Sequence, residues 1–292
     1  MKNYVSILLV SIVSLACQKD GRPLENLFSL PKSLKEVSGI SYANDSKLLW
    51  TLEDSGNADK IYGLTAEGKI KYEIEISGAK NRDWEDITKD QAGNIYIGDF
   101  GNNNNDRKDL CIYKINKESL SSQQAVPDYK VSFSYPEQHS FPPKKKEMFF
   151  DVEGFFEYKG NFYLFTKNRS KGFDGTTFMY KVANRAGTQL AQKVAEFKSC
   201  DNFSTCAITS AAISPDQSKV VLLCHDTLWL FDNFKNDAFL SGNVQELDLE
   251  HNSQKEAVCF KDNENLLIAD EKTKKIGGNV YAVKITDLKS KS

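Results

Sequence analysis

One signature recurs five times along the chain and leaves few folds open to it. Each copy is a short segment in which an acid or a hydroxyl is set among small and apolar residues. The five are Glu36-Val-Ser-Gly-Ile40, Trp84-Glu-Asp-Ile87, Val152-Glu-Gly-Phe155, Thr209-Ser-Ala-Ala-Ile213 and Lys255-Glu-Ala-Val258. Behind each comes a strand-like run, at 48–52, 95–97, 162–165, 220–223 and 266–268. Turn-forming clusters such as Asn44-Asp45-Ser46 and Lys159-Gly160-Asn161 introduce these runs, which is the pattern of β-hairpins. Counted through Glu36, Glu85, Glu153, Ser210 and Glu256, the steps are 49, 68, 57 and 46 residues. A period near 50 is what a four-stranded propeller blade requires. No stretch carries a persuasive helical period.

The expectation is therefore an all-β chain folded as a five-bladed β-propeller. The fifth blade has three strands of its own, at 257–261, 265–269 and 280–285, and takes its fourth from 24–30, closing the ring. A six-bladed ring is the alternative, because the 68-residue second repeat has room for extra strands around 131–135. The domain boundaries follow: a leader at 1–16, a tether at 17–23, the propeller at 24–288 and a tail at 289–292.

The leader is read from Lys2 and the uncharged run 4–16, too short to span a bilayer as a helix and of the size of a signal-peptide core. It ends in Leu15-Ala16-Cys17, which resembles a bacterial lipoprotein cleavage box and implies lipidation of Cys17 by acyl (palmitoyl) chains. Gln18-Lys19-Asp20 resembles a surface-export signal of lipoproteins in the Bacteroidota. The expected location is the cell envelope, at the outer membrane, held there through the lipid. Losing residues 1–16 moves the net charge from −2 to −3, which gives no sign of a nucleic-acid partner. Cys200 and Cys206 flank a polar loop and are candidates for a disulfide in such a compartment; Cys111, Cys224 and Cys259 sit in apolar runs.

Small residues such as Ser38, Gly39, Gly154, Ala211 and Ala257 belong on innermost strands, where blades crowd the axis. The acids beside them then converge on one end of the tunnel, and several carboxylates stay charged together only with a counter-charge. Calcium, with six to eight oxygen ligands, answers that need. The candidate ligands are Glu85, Glu153 and Glu256, with Ser38 or Glu36 and Ser210 completing the ring. The alternative is a water-filled tunnel in which the same residues accept backbone N–H bonds.

Glu-Val-Ser-Gly-Ile (36–40), Leu-Glu-Asp-Ser-Gly-Asn (52–57), Asp-Trp-Glu-Asp-Ile (83–87) and Ile-Gly-Asp-Phe-Gly-Asn-Asn (97–103) resemble bacterial propellers described as esterase-like phytase or SdiA-regulated proteins. The order of starts, glutamate in blades two, three and five and hydroxyls in blade four, is similar to the calcium-activated nucleotidases (apyrases). That resemblance implies five blades and an axial calcium. It departs in the active-site loops, where the Asn102–Asp106 run has no counterpart.

In an up-and-down meander Asp54, Asp99, Lys167, Asp226 and Asp270 follow second strands and share a face with the ring, as do nearby Asn102, Arg107, Arg169, His225 and Glu271. Such a mixture can orient a polar or phosphorylated small ligand. Gly-x-Ser-x-Gly, His-Glu-x-x-His and phosphate-loop signatures do not occur. Two functions follow. One is a surface binding or scaffold module with envelope protein partners or a small polar ligand. The other is a calcium-dependent hydrolase of phosphate esters or anhydrides, in which Asp99, Arg107 and Arg169 orient water and grip the phosphoryl group.

Overall fold

The inner and middle strands of this chain are buried on both faces, which explains why they read as near-continuous apolar runs. In Leu48–Glu53, Leu48, Trp50 and Leu52 pack with Ile87, Ile97 and Ile115, while Leu49 faces the other way onto Ala257, Leu267 and Val280. Side chains alternate across a strand, so each strand supplies one row to each neighbouring sheet. The computed structural model describes residues 23–291, and the leader and Cys17 lie outside them.

Five antiparallel blades surround an axis, each running from an inner to an outer strand. The first four take their inner strands from Val37–Ala43, Trp84–Lys89, Asp151–Tyr158 and Ser210–Ile213. The fifth runs Lys255–Phe260, Asn265–Asp270 and Asn279–Lys284, and Glu25–Ser29 adds as its outermost strand. The N-terminal strand thus closes the ring, so neither chain end leaves a blade incomplete. Apolar contacts form five clusters, one between each pair of adjacent blades. Trp84 belongs to the cluster between the first and second blades, where it is a packing residue.

Among the described residues there is no sixth blade. Tyr129–Ser134 is the fourth strand of blade 2, and the excess length of that repeat lies in connections. Part of it, Gln124–Ala125, pairs in parallel with Glu75 and Ile76 on the outer edge of blade 1. Gly187–Leu190 from blade 3 does the same for blade 2, and Lys289–Ser290 adds to blade 4 beside Leu247 and Asp248.

The inner strands approach one another closely. A Cβ on Gly154 would lie 2.4 Å from the backbone nitrogen of Ala211 in the next blade. Hydrogen bonds cross the same seams: Ser38 Oγ donates to Trp84 O (2.8 Å), Phe155 N donates to Asp86 Oδ2 (3.0 Å) and Val258 N donates to Ser210 Oγ (3.2 Å).

Candidate metal centre

Four of the five inner strands begin with a β-bulge. The register slips between Val37 and Gly39, Trp84 and Asp86, Val152 and Gly154, and Lys255 and Ala257. The residues at the slips are Ser38, Glu85, Glu153 and Glu256. A bulge leaves its extra residue unpaired and re-aims the side chain. Ser210 holds the equivalent place in blade 4 without a bulge, opposite Leu223. The repeat is thus in register on Ser38 rather than Glu36, which lies two residues earlier on the exposed rim and accepts from Asn57 Nδ2 at 2.9 Å.

Around the axis these side chains form a belt of alternating charge. Arg169 reaches Asp151 Oδ2 through Nε (2.5 Å) and Glu153 Oε1 through Nη2 (2.7 Å). Lys167 Nζ lies 3.1 Å from Glu153 Oε2 and 3.8 Å from Glu256 Oε2. His225 Nε2 lies 3.3 Å from Glu256 Oε1, and its Nδ1 lies 2.9 Å from Ser204 O. A carbonyl only accepts, so Nδ1 carries a proton, and the contact to Glu256 becomes a hydrogen bond when Nε2 is protonated too. Burial opposes the charge on Lys167, but Glu153 and Glu256 overcome it and hold the ammonium above its ordinary range. Arg169 is likewise held up against burial by Asp151 and Glu153. For Glu256, burial is outweighed by Lys167 and His225, which keep the carboxyl below its usual range.

Glu85 is different. It is 8 % exposed, and among the described residues it receives no hydrogen bond and no ion pair. Burial, and then the charges of Glu153, Asp83 and Asp151, push its carboxyl well above the usual range. Burial and Asp151 likewise push Glu153 up to about 8, although Lys167 pulls the other way. Glu85, Asp151 and Glu153 each offer an oxygen, and these oxygens lie within 4.8 Å of one another. Two ligands of one ion are separated by at most twice the metal–oxygen distance. That limit is about 4.6–5.2 Å for calcium. An all-oxygen donor set of three carboxylates within 4.8 Å of one another fits a hard cation.

Asp151 is the member that reading by starts missed. Its signal was present, because Asp83-Trp84-Glu85 and Asp151-Val152-Glu153 repeat the same acid-x-Glu spacing. Asp151 Oδ1 also accepts from the backbone N of Asn102 (2.6 Å), which fixes that oxygen. Gly101, next to it, admits the chain close to Glu85: a Cβ there would lie 2.1 Å from Glu85 Oε1.

Of the phosphoryl-gripping candidates, only Arg169 reaches these carboxylates. Arg107 pairs with Asp99 (2.8 Å) and Asp109 (3.1 Å), and its Nη1 donates to Gly101 O (2.8 Å). Asp99, 1 % exposed, also accepts from Asp83 N (3.2 Å), so this pair braces the loop that carries Gly101. Asp226 pairs with Lys291 (3.2 Å), and Asp270 accepts from Asn279 N and Tyr281 Oη. A second acidic group, Glu36, Asp54 and Glu271, shares the face. Burial and then Glu36 raise Asp54 to about 7, and burial and then Glu256 raise Glu271 to about 8. The run Lys144-Lys145-Lys146 is solvated, and it rides beside the centre. Lys171 N donates to Lys145 O (2.7 Å) and Arg169 N to Met148 O (2.9 Å). Cys200 and Cys206 are joined by a disulfide.

No protein-family model and no curated protein sequence matches the chain. Its propeller fold is shared with solved structures at low identity. One is the PQQ-bound aldose sugar dehydrogenase of Streptomyces coelicolor (TM-score 0.53, 13% identity, 89% of this chain and 97% of that one). A nidogen/laminin complex gives a TM-score of 0.50 at 14% identity, covering 88% and 79%. A gluconolactonase from Xanthomonas campestris gives 0.50 at 9%, covering 96% and 94%. These likenesses concern the fold alone.

Proposed function

We propose that this chain is a cell-envelope lipoprotein, anchored through Cys17 at the outer membrane, whose propeller is a calcium-centred binding module for an anionic ligand. The observation that carries the reading is the buried Glu85 carboxylate, which receives no hydrogen bond or ion pair among the described residues and lies beside oxygens of Asp151 and Glu153. A buried carboxylate persists when it is neutralised, by a proton or by a cation. Calcium would be held by these three residues and would supply positive charge at the axis. Arg169 Nη1, which has no hydrogen-bond partner among the described residues, and the lysines at 144–146 and 171 would draw an anion to it. The order of blade starts, which resembles that of the calcium-activated nucleotidases, also favours an axial cation.

Fold neighbours do not choose the activity, since they include two enzymes and a protein complex. Two features favour binding over hydrolysis. Arg107 and Asp99 are spent on each other, and His225, the histidine at the centre, is spent on Glu256 and Ser204. The second reading, a calcium-dependent hydrolase of phosphate esters or anhydrides, is favoured by Arg169 standing on the triad.

Metal analysis of the purified protein, with a phosphatase and nucleotidase panel run with and without calcium, separates these readings. The binding module predicts about one calcium per chain, lost in Glu85→Gln, and no turnover. Calcium-dependent turnover would establish the hydrolase instead. Absence of bound metal in wild type and variant alike would leave a water-filled tunnel. For the anchor, Cys17→Ser is expected to abolish lipid labelling and membrane retention, and unchanged retention would refute it.

A further inference from the structure

The disulfide-closed loop 200–206 carries an exposed aromatic side chain to the edge of the metal centre. Phe203 is 42 % exposed, its ring lies 5.9 Å from the Arg169 guanidinium carbon, and it meets the ring of Phe173 edge-on at 5.3 Å. Its ring is partly covered by these contacts and partly open, so it can offer aromatic contact to a ligand at the edge of the charged centre.

The loop is held rigidly. Besides the disulfide, Cys206 O accepts from Ser199 Oγ (2.7 Å) and Cys224 Sγ (3.2 Å), and Asn202 caps the turn by accepting from Ser204 N (3.1 Å). Ser204 O in turn holds His225, which ties the loop to the charge belt. Phe203 is thus an anchor ordered before any ligand arrives, which lowers the entropy cost of binding to it.

Beneath it, Arg169 uses Nε and Nη2 on Asp151 and Glu153 and leaves Nη1 without a hydrogen-bond partner among the described residues. A donor for an anion and an aromatic wall therefore stand side by side. We infer that Phe203 and Phe173 form a rim subsite that takes the ring of a phosphate monoester of an aryl alcohol, its phosphate directed at Arg169 and the cation. This rests on the anion-binding reading above and adds the class of group that the anion carries. Aromatic pairs prefer offset or edge-to-face contact, the geometry in which Phe173 and Phe203 already meet.

The test is calorimetric titration of the calcium-loaded protein with phenyl phosphate and with methyl phosphate. Phenyl phosphate is expected to bind at least tenfold more tightly, a difference of about 1.4 kcal/mol. Phe203→Ala should erase that preference while leaving methyl phosphate affinity within twofold, and Phe203→Trp should restore it. Thermal unfolding of the variants checks that the loop change leaves the fold intact. If methyl phosphate binds but phenyl phosphate binds no better, or if the preference survives Phe203→Ala, the rim subsite is wrong and the anion reading stands. If neither compound binds the wild type, both are wrong.

Discussion

The ammonium of Lys167 lies 3.1 Å from the carboxylate of Glu153, and both side chains are buried at the propeller axis. Glu256 stands 3.8 Å away on the other side. Lys167 is thus a fixed cation shared by two blades, and any metal at Glu153 must coexist with it. Lys167→Met would leave two buried carboxylates short of their counter-charge. Breaking a buried pair by removing one partner costs about 3–5 kcal/mol. The loss should appear in urea unfolding in the presence of chelator, and calcium should recover more stability in the variant than in the wild type. Equal recovery would show that Lys167 and the cation do not share a field.

Calcium should stabilise the wild type by mass action, because a ligand that binds only the folded state shifts the equilibrium toward it. At a free concentration 100 times the Kd the gain is about 2.7 kcal/mol. Thermal melts with chelator, calcium and magnesium measure it. Calcium is expected to raise Tm most, since magnesium keeps its waters and demands a near-ideal octahedron, whereas calcium takes flexible all-oxygen sites. Identical melts in all three conditions would exclude the ion.

A pH dependence follows for the metal-free protein. Burial and like charges lift Asp54 to about 7, and Glu153 and Glu271 to about 8, well above the ordinary carboxylate range. Each is raised on folding, so the folded state binds more protons than the unfolded chain between those limits. The stability it contributes is fully present below about pH 4 and is lost as pH rises through 7–8. Tm in chelator should therefore fall between pH 5 and pH 8, and Glu271→Gln should make the fall shallower. Calcium should flatten it, because the ion replaces the proton. A Tm that climbs across this window in chelator would contradict the assignment.

Gly154 tests the crowding of the axis. Its missing Cβ would meet backbone atoms of Ser210 and Ala211 at 2.4–2.5 Å, and backbone cannot rotate out of the way. Gly154→Ala is expected to cost about 3 kcal/mol, at the upper end for overpacking. Gly160→Ala, in an open turn with nothing near its Cβ position but a φ of +75°, serves as the comparison in which only backbone strain acts. Equal costs at the two sites would mean that the blades separate readily.

What the sequence determined by itself was the repeat and everything that follows from local pattern. Five starts, turn-separated apolar runs and small residues at the blade seams specify five sheets around an axis. Even the closing strand near 24–30 was legible, because the last repeat is one strand short. These features are readable since they depend on neighbours two to ten residues apart, where strand alternation and turn chemistry act. The tertiary structure decided which charges meet. The bulges at Ser38, Glu85, Glu153 and Glu256 alter side-chain direction without altering composition. Asp151 therefore joins Glu85, from a blade 66 positions earlier, while Glu256 turns to Lys167 and His225. Arg107 and Arg169 look alike along the chain, yet one braces a loop and the other stands on the triad. Coulomb energy depends on distance and burial, and across the axis of a propeller both are set by how the blades close, which no single stretch of sequence contains.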